Sequence, residues 1–135
     1  MAGLKKAADD LCAPTVVLVG IPFDINSTFM RGPDLAPARI REVLHGGATN
    51  LCSETGIDLA TTNVFDDRGD IIIDEDMDWV IEIEKRISNL IAADVRVLTL
   101  GGDHAITYPI VKAYSKKYKS LNILQLDAHP DLYDT

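Results

Sequence analysis

Two short runs of histidine and aspartate carry the most specific chemical signals in this 135-residue chain. In the run Asp127-Ala128-His129-Pro130-Asp131, three ligand-type side chains alternate at every second residue. Such side chains point the same way in an extended segment, and Pro130 disfavours a helical conformation at the histidine before it. The spacing therefore predicts that one imidazole and two carboxylates converge.

The second run is Gly101-Gly102-Asp103-His104. Its glycines permit a tight turn and a close backbone approach, and His104 stands where a helix is predicted to begin. Both runs follow apolar segments that are typical of buried strands, and ligands of parallel sheets bind beyond the carboxyl ends of strands. Right-handed crossovers favour neighbouring strands, so the two runs are expected to face one crevice.

Together the runs supply two imidazoles and two carboxylates: His104, Asp127, His129 and Asp131. The set contains no cysteine, which weighs against structural zinc, and carboxylate-rich sets suit harder ions such as Mn²⁺. One carboxylate can bridge two ions about 3.5–4 Å apart, which can bind one hydroxide between them. Four ligands do not complete two such sites, so more are expected from elsewhere.

Taken singly, these residues have plainer interpretations. An aspartate after a strand is usually a cap or a turn former, and Asp103 with His104 could be a capping pair at a helix start. Four such residues at two successive strand ends make a metal site the better prediction. The acidic run at 74–78 is instead predicted to cap a helix, where acidic residues favour the positive end of the helix dipole.

The elements that must position these residues alternate along the chain. Buried strands are predicted at residues 15–20, 95–100 and 121–127. Helices are predicted at residues 37–46, 75–93 and 104–118. A long loop is predicted at 21–37, and 48–70 is ambiguous, with room for an edge strand. Continuous apolar strands alternating with helices predict a parallel sheet covered by helices on both faces.

Several other side chains have structural predictions. Ile40, Val43 and Leu44 share one face of the first helix, and Trp79 is expected to be a core anchor of the second. His45 is expected to contact the C-terminal end of the helix dipole. Salt bridges at the surface are expected for two arginines, Arg31 and Arg41.

Composition limits the classes of function. The chain is 47% hydrophobic and 25% charged, as in one soluble globular domain. Its net charge of -8 makes nucleic acid a poor partner and favours a cationic substrate. Without an apolar run of membrane-spanning length or a signal-peptide core, we expect a cytoplasmic location and no membrane partner. Cys12 and Cys52 are expected to be incidental thiols.

At these motifs the sequence resembles the ureohydrolases, which include arginase, agmatinase and formimidoylglutamase. GGDHA (101–105) and DAHPD (127–131) resemble two metal-binding signatures of the family, in the same order. GIPFD (20–24) and RGPDLAPARIR (31–41) resemble its N-terminal loop and first helix. DAHPDLYD (127–134) looks more like the agmatinase branch than the arginases. The similarity covers nearly the whole chain from residue 15.

The resemblance implies an arginase-like, three-layer α/β/α fold with a mainly parallel sheet, incomplete in this chain. Residues 15–135 would be the N-terminal half of the catalytic domain, after a polar lead-in at 1–14. It further implies two manganese ions: His104 and Asp131 would bind one, His129 the other, and Asp127 would bridge them. Asp103 would support the neighbouring histidine.

The activity implied is attack of a metal-bridging hydroxide on the guanidinium carbon of a linear, agmatine-like substrate, giving urea and an amine. A homo-oligomer, trimer or hexamer, is implied as well. The family's further two-aspartate motif and its acid/base and substrate-binding residues lie downstream, beyond Thr135, so we expect the 135 residues to be inactive by themselves. Ile25-Asn26 departs from the small, glycine-rich sequence of related loops.

Two other classes of function remain open. One is a non-catalytic truncated isoform or a regulatory partner of a full-length ureohydrolase. The other is an amidohydrolase-like deacetylase of related fold, which would release acetate in place of urea.

Overall fold

The computed structural model describes residues 16–47, 50–62, 64–129 and 131. The lead-in at 1–14, with Cys12, and Thr15 and Pro130 lie outside the described residues. Within them, three strands form one parallel sheet: β1 (Val16–Ile21), β2 (Phe65–Asp70) and β3 (Arg96–Gly101). The strand order is β2-β1-β3, so the ambiguous 48–70 region does supply an edge strand.

Three α-helices accompany this sheet: α1 (Ala36–His45), α2 (Trp79–Ala92) and α3 (Thr107–Lys117). Short 3-10 turns at Pro33–Leu35 and His104–Ile106 lead into the first and the third of them. Pro109 is the third residue of α3, where its missing N–H costs no intrahelical hydrogen bond. The α2 helix starts four residues later than predicted, after the acidic run.

The acidic run does cap α2, as predicted. The Asp78 carboxylate accepts hydrogen bonds from the backbone N–H groups of Val80 and Ile81, at 2.9 and 3.2 Å. An N-cap carboxylate satisfies two donors that have no partner within the helix and lies at the positive end of the helix dipole.

The hydrophobic core lies between the sheet and the α2–α3 pair. Alternate residues of β1 are buried on this face, and they pack against one side of α2. The members of this cluster that the two elements contribute are Val17, Val19, Ile21, Ile83, Ile87 and Ile91. Trp79 packs against the same cluster, with its ring centroid 4.6 Å from that of Phe23. The predicted amphipathic face of α2 and the role of Trp79 are therefore confirmed.

Helix α1 covers the opposite face of the sheet. A Cβ on Gly20 would meet Pro37 and Arg41, so this helix approaches the backbone of β1 closely. Ile40 and Val43, which were predicted to share one apolar face of this helix with Leu44, are both exposed. The sheet-facing side is instead Pro37, Arg41 and Leu44, at i, i+4 and i+7.

The prediction of a third buried strand at 121–127 is also wrong. These residues have no strand assignment, and Leu124 and Leu126 are 85% and 89% exposed. An apolar run forms a buried strand only where a neighbouring strand pairs with its backbone and another layer covers its side chains. In the described part of the chain neither is provided, and the outer edge of β3 carries no partner strand. No helix in that part has the length and apolar content to cross a membrane.

Candidate metal centre

The turn after β3 is built onto the chain that leaves β1. The backbone N–H of Gly102 donates to the Ile21 carbonyl at 3.0 Å, and that of Asp103 donates to the Phe23 carbonyl at 2.8 Å. A Cβ on Gly102 would overlap the backbone of Phe23, so this close approach requires glycine. The carboxyl ends of β1 and β3 are thereby fixed side by side.

Asp103 holds this turn from two directions. Its Oδ1 accepts from the backbone N–H of Ala105 at 2.9 Å, which caps the 3-10 turn. Its Oδ2 accepts from the backbone N–H of Asn26 at 2.9 Å, which ties the loop after β1 to the same turn. The capping role considered for Asp103 is therefore confirmed, and the same carboxylate also orients the loop beside His104.

His104 is placed by the start of the helix and faces Asp131. Its Nε2 lies 3.2 Å from Asp131 Oδ2, and its Nδ1 lies 3.3 Å from the Thr107 hydroxyl oxygen. Thr107 thus contacts the side of the ring that faces away from the carboxylate. The contact between His104 and Asp131 joins the two signature runs in space.

Asp127 and His129 form a second pair. The backbone N–H of His129 donates to Asp127 Oδ1 at 2.9 Å, and the His129 ring nitrogen Nδ1 lies 3.8 Å from the same oxygen. That backbone hydrogen bond is the main reason that the pKa of Asp127 lies below its usual range. The nearby imidazoles of His129 and His104 lower this pKa further.

The four predicted ligands therefore lie in two pairs, His104 with Asp131 and Asp127 with His129. The predicted convergence of Asp127, His129 and Asp131 is wrong for the described residues. Among the described residues, no three histidine, cysteine, aspartate or glutamate side chains are grouped closely enough to hold a metal ion. The chemistry of the donor set still fits manganese: imidazole and carboxylate ligands, no thiolate, and one imidazole already in contact with a carboxylate.

An open cleft of about 870 Å³ lies beside the first pair. One wall is the loop residues 26–30, and the other is formed by His104, Tyr108 and Val111, with Asp131 also lining the space. The two runs thus face one cleft, as expected. The cleft lies beyond the carboxyl ends of β1 and β3, because the strand predicted at 121–127 is absent from the described residues.

Sequence reasoning missed Thr107 and Asn26, the partners of His104 and Asp103. Thr107 follows His104 by three residues, a spacing that brings side chains together at a helix start, so helical spacing could have identified it. Asn26 donates through its backbone, and no side-chain pattern predicts such a contact.

The two arginines form ion pairs within the chain. Arg31 contacts Asp24, as expected of a surface pair. Arg41 is largely buried and binds Asp67 and Asp70 of β2, so the predicted exposed pair is wrong for this residue. His45 ends α1 in its last turn, as predicted, and its Nε2 also lies 3.5 Å from Asp67.

The fold is that of one protein class. A profile of the Arginase family matches residues 14–135, and the chain belongs to this family. The ureohydrolase resemblance and the predicted arginase-like α/β fold are thereby confirmed.

Named relatives include both arginases and agmatinases. "Arginase 1, mitochondrial" of Oryza sativa subsp. indica is 43% identical over 127 residues, which cover 87% of this chain and 37% of that protein. "Agmatinase" of Blochmanniella floridana is 36% identical over 121 residues, covering 87% of this chain and 40% of that protein.

The solved arginase from Medicago truncatula superposes with a TM-score of 0.81 at 37% identity, covering 91% of this chain and 42% of that one. The chain thus spans about two-fifths of the length of the relatives that it matches.

Proposed function

We propose that this chain supplies half of the metal shell of a manganese-dependent ureohydrolase. The reaction proposed is hydrolysis of a linear guanidino compound: water adds at the guanidinium carbon, the carbon–nitrogen bond to the alkyl chain breaks, and urea and an amine leave. The observation that carries this proposal is the contact of His104 with Asp131, which joins the two family signatures at the edge of one cleft.

In this proposal His104, Asp127, His129 and Asp131 would hold the metal ions, and Asp127 would serve both. When bound, the manganese pair would supply hydroxide at neutral pH. Thr107 keeps the His104 ring in a fixed orientation, and Asp103 fixes the turn that carries it. Residues 15–135 are proposed to form the N-terminal half of the catalytic domain.

Two substrates are favoured by different observations. The DAHPDLYD run resembles agmatinases, and the net charge of -8 favours a cationic compound such as agmatine. Arginine is the second candidate, because a relative named arginase is 43% identical and one named agmatinase is 36% identical. We propose an agmatine-like substrate.

The test measures urea released by the complete protein, loaded with Mn²⁺, from agmatine, arginine and 4-guanidinobutyrate. His104→Ala and His129→Ala are each expected to lower the activity by about 100-fold or more and to reduce bound manganese. The matched control is His45→Ala, since the chain has three histidines and this one lies at the end of α1. Absence of urea from all three guanidino compounds would refute the proposal, and release of acetate from an N-acetylated amine assayed in parallel would favour the deacetylase alternative.

Three further properties belong to this proposal. A homo-oligomer, trimer or hexamer, is expected by family and is checked by light scattering. The 135 residues by themselves are expected to show no appreciable turnover, since four ligands do not complete two metal spheres. The cytoplasmic location also stays a prediction, which imaging of the tagged complete protein tests, because the rice relative is named as mitochondrial.

A further inference from the structure

Three large side chains line the cleft beside His104 without being buried there. Phe29 is 92% exposed, Met30 is 67% exposed and Tyr108 is 61% exposed. Phe29 and Met30 come from the loop after β1, and Tyr108 comes from the first turn of α3, so two separate elements contribute them. Exposed aromatic and sulfur-containing side chains beside a few polar groups are typical of a ligand site.

The loop that carries Phe29 and Met30 is held by hydrogen bonds at its two ends and at Asn26. The carboxylate of Asp24 accepts from the Gly32 backbone N–H at 2.7 Å and contacts Arg31, which closes the loop on itself. Asp103 binds the backbone of Asn26. This wall of the cleft is therefore positioned by the same turn that positions His104, which limits the ordering cost of binding a ligand.

The charges in the cleft select the kind of ligand. Asp103 and Asp131 contribute carboxylates, and the lining residues that the structure describes include no lysine or arginine. The Lys112 ammonium lies 5.7 Å from the centroid of the Tyr108 ring, and it is paired with Glu84. A cationic head group with an apolar chain matches carboxylates at one end and aromatic walls along the side.

We propose that Phe29 and Tyr108 form the wall that receives the methylene chain of the guanidino substrate, and so set the preferred chain length. This inference rests on the proposed function, because it places the guanidinium carbon at the His104–Asp131 end of the cleft. Met30 also lines the cleft. Neither aromatic residue is assigned a part in the chemical step.

The test uses the complete, manganese-loaded protein and a series of aminoalkylguanidines with increasing numbers of methylenes. In the unchanged protein, kcat/KM is expected to rise by about fourfold per added methylene until the cleft is filled. In Phe29→Ala and in Tyr108→Ala this gain should fall below about twofold per methylene, and the loss should appear mainly in KM.

Ile25→Ala is the matched control, because Ile25 is an exposed apolar residue of the same loop that does not line this cleft. It should leave the chain-length profile unchanged. Since Phe29 is almost fully exposed, its replacement should not affect folding, and a thermal unfolding curve checks this.

A second readout separates this inference from the proposed function. The affinity of n-alkylguanidines is measured by titration calorimetry on the same variants, without any need for turnover. If affinity rises with chain length in the unchanged protein and in Ile25→Ala but not in Phe29→Ala or Tyr108→Ala, the wall is confirmed even if no urea is released. If the chain-length gain is equal in all four proteins, or absent in the unchanged protein, the inference is wrong even where urea is produced.

Discussion

Arg41 joins helix α1 to the edge strand β2 through three neighbouring groups. Its Nε lies 2.8 and 3.0 Å from the two carboxylate oxygens of Asp67, its Nη1 binds Asp70, and its Nη2 donates to the Gly69 carbonyl at 2.8 Å. The side chains of Arg41 and Asp67 are only 15% and 16% exposed. Replacing Arg41 with methionine keeps the apolar stem and removes every one of these donors.

The expected loss of stability follows from this partial burial. An exposed ion pair contributes about 0–1 kcal/mol, whereas removing one partner of a buried pair costs about 3–5 kcal/mol. With most of both side chains out of water and a second carboxylate left unpaired, we expect Arg41→Met to lower the free energy of unfolding by about 2–3 kcal/mol. On the same helix, Arg39 pairs with Glu42, and their side chains are 74% and 66% exposed. Arg39→Met should therefore cost less than about 0.5 kcal/mol.

Urea unfolding at pH 7, followed by circular dichroism, measures both variants. The pH dependence gives an independent check through Asp67. Burial alone would raise the pKa of Asp67, but hydrogen bonds from Arg41 and the Gly69 N–H outweigh it and hold this pKa below 3.8 in the folded protein. A lowered folded pKa stabilises the protein above the unfolded value, and this stabilisation is lost as pH falls through the folded value.

The difference in the free energy of unfolding between the unchanged protein and Arg41→Met should therefore become smaller as the pH is lowered from 7 to below 4. Equal losses of unfolding free energy in Arg41→Met and Arg39→Met would refute the stabilising role proposed for the Arg41 ion pairs. So would a difference between Arg41→Met and the unchanged protein that does not vary with pH.

Three further predictions concern the elements around the site. Asp78→Ala removes the N-cap of α2 and should cost about 1 kcal/mol in urea unfolding, whereas Asp78→Asn should cost less; equal losses would contradict the capping role. Ile83→Ala, at a fully buried core position, should cost about 3–4 kcal/mol, and a loss below about 1 kcal/mol would show that the α2 face is misplaced. Gly102→Ala should displace the turn that carries His104 and weaken Mn²⁺ binding by about tenfold or more, as is typical when a residue that supports a metal ligand is changed. Calorimetry measures this affinity, and Gly47→Ala should leave it unchanged.

Much of the fold was predictable because the deciding forces are local. The continuous apolar residues of β1 and the Ile83, Ile87 and Ile91 stripe of α2 are buried as their periodicity indicates. Segment 121–127 has an equally apolar pattern, yet Leu124 and Leu126 remain exposed. A pattern records which residues favour burial, whereas burial itself depends on whether another element covers them.

Helix α1 shows that a residue pattern can also fail to predict the burial of a charged side chain. Its sheet-facing residue Arg41 is charged, and its burial depends on Asp67 and Asp70 of a strand far along the sequence. At the candidate site, the ligand types of His104 and Asp131 were recognisable from the sequence. Their contact does not arise from two neighbouring strand ends as predicted, because no strand directly precedes Asp131 among the described residues. The path of the loop that brings Asn26 to Asp103 was not predictable, because a backbone donor leaves no mark in the residue pattern.

The loop between Asp24 and Gly32 is tied near both of its ends, while its tip at Phe29 projects into the open. Such a division lets substitutions accumulate at the tip without disturbing the strand ends beneath it. Related proteins can thus differ in ligand preference while they keep the same residues at the strand ends. A library randomised at the tip alone, screened for folding and for a change in ligand preference, would test this consequence.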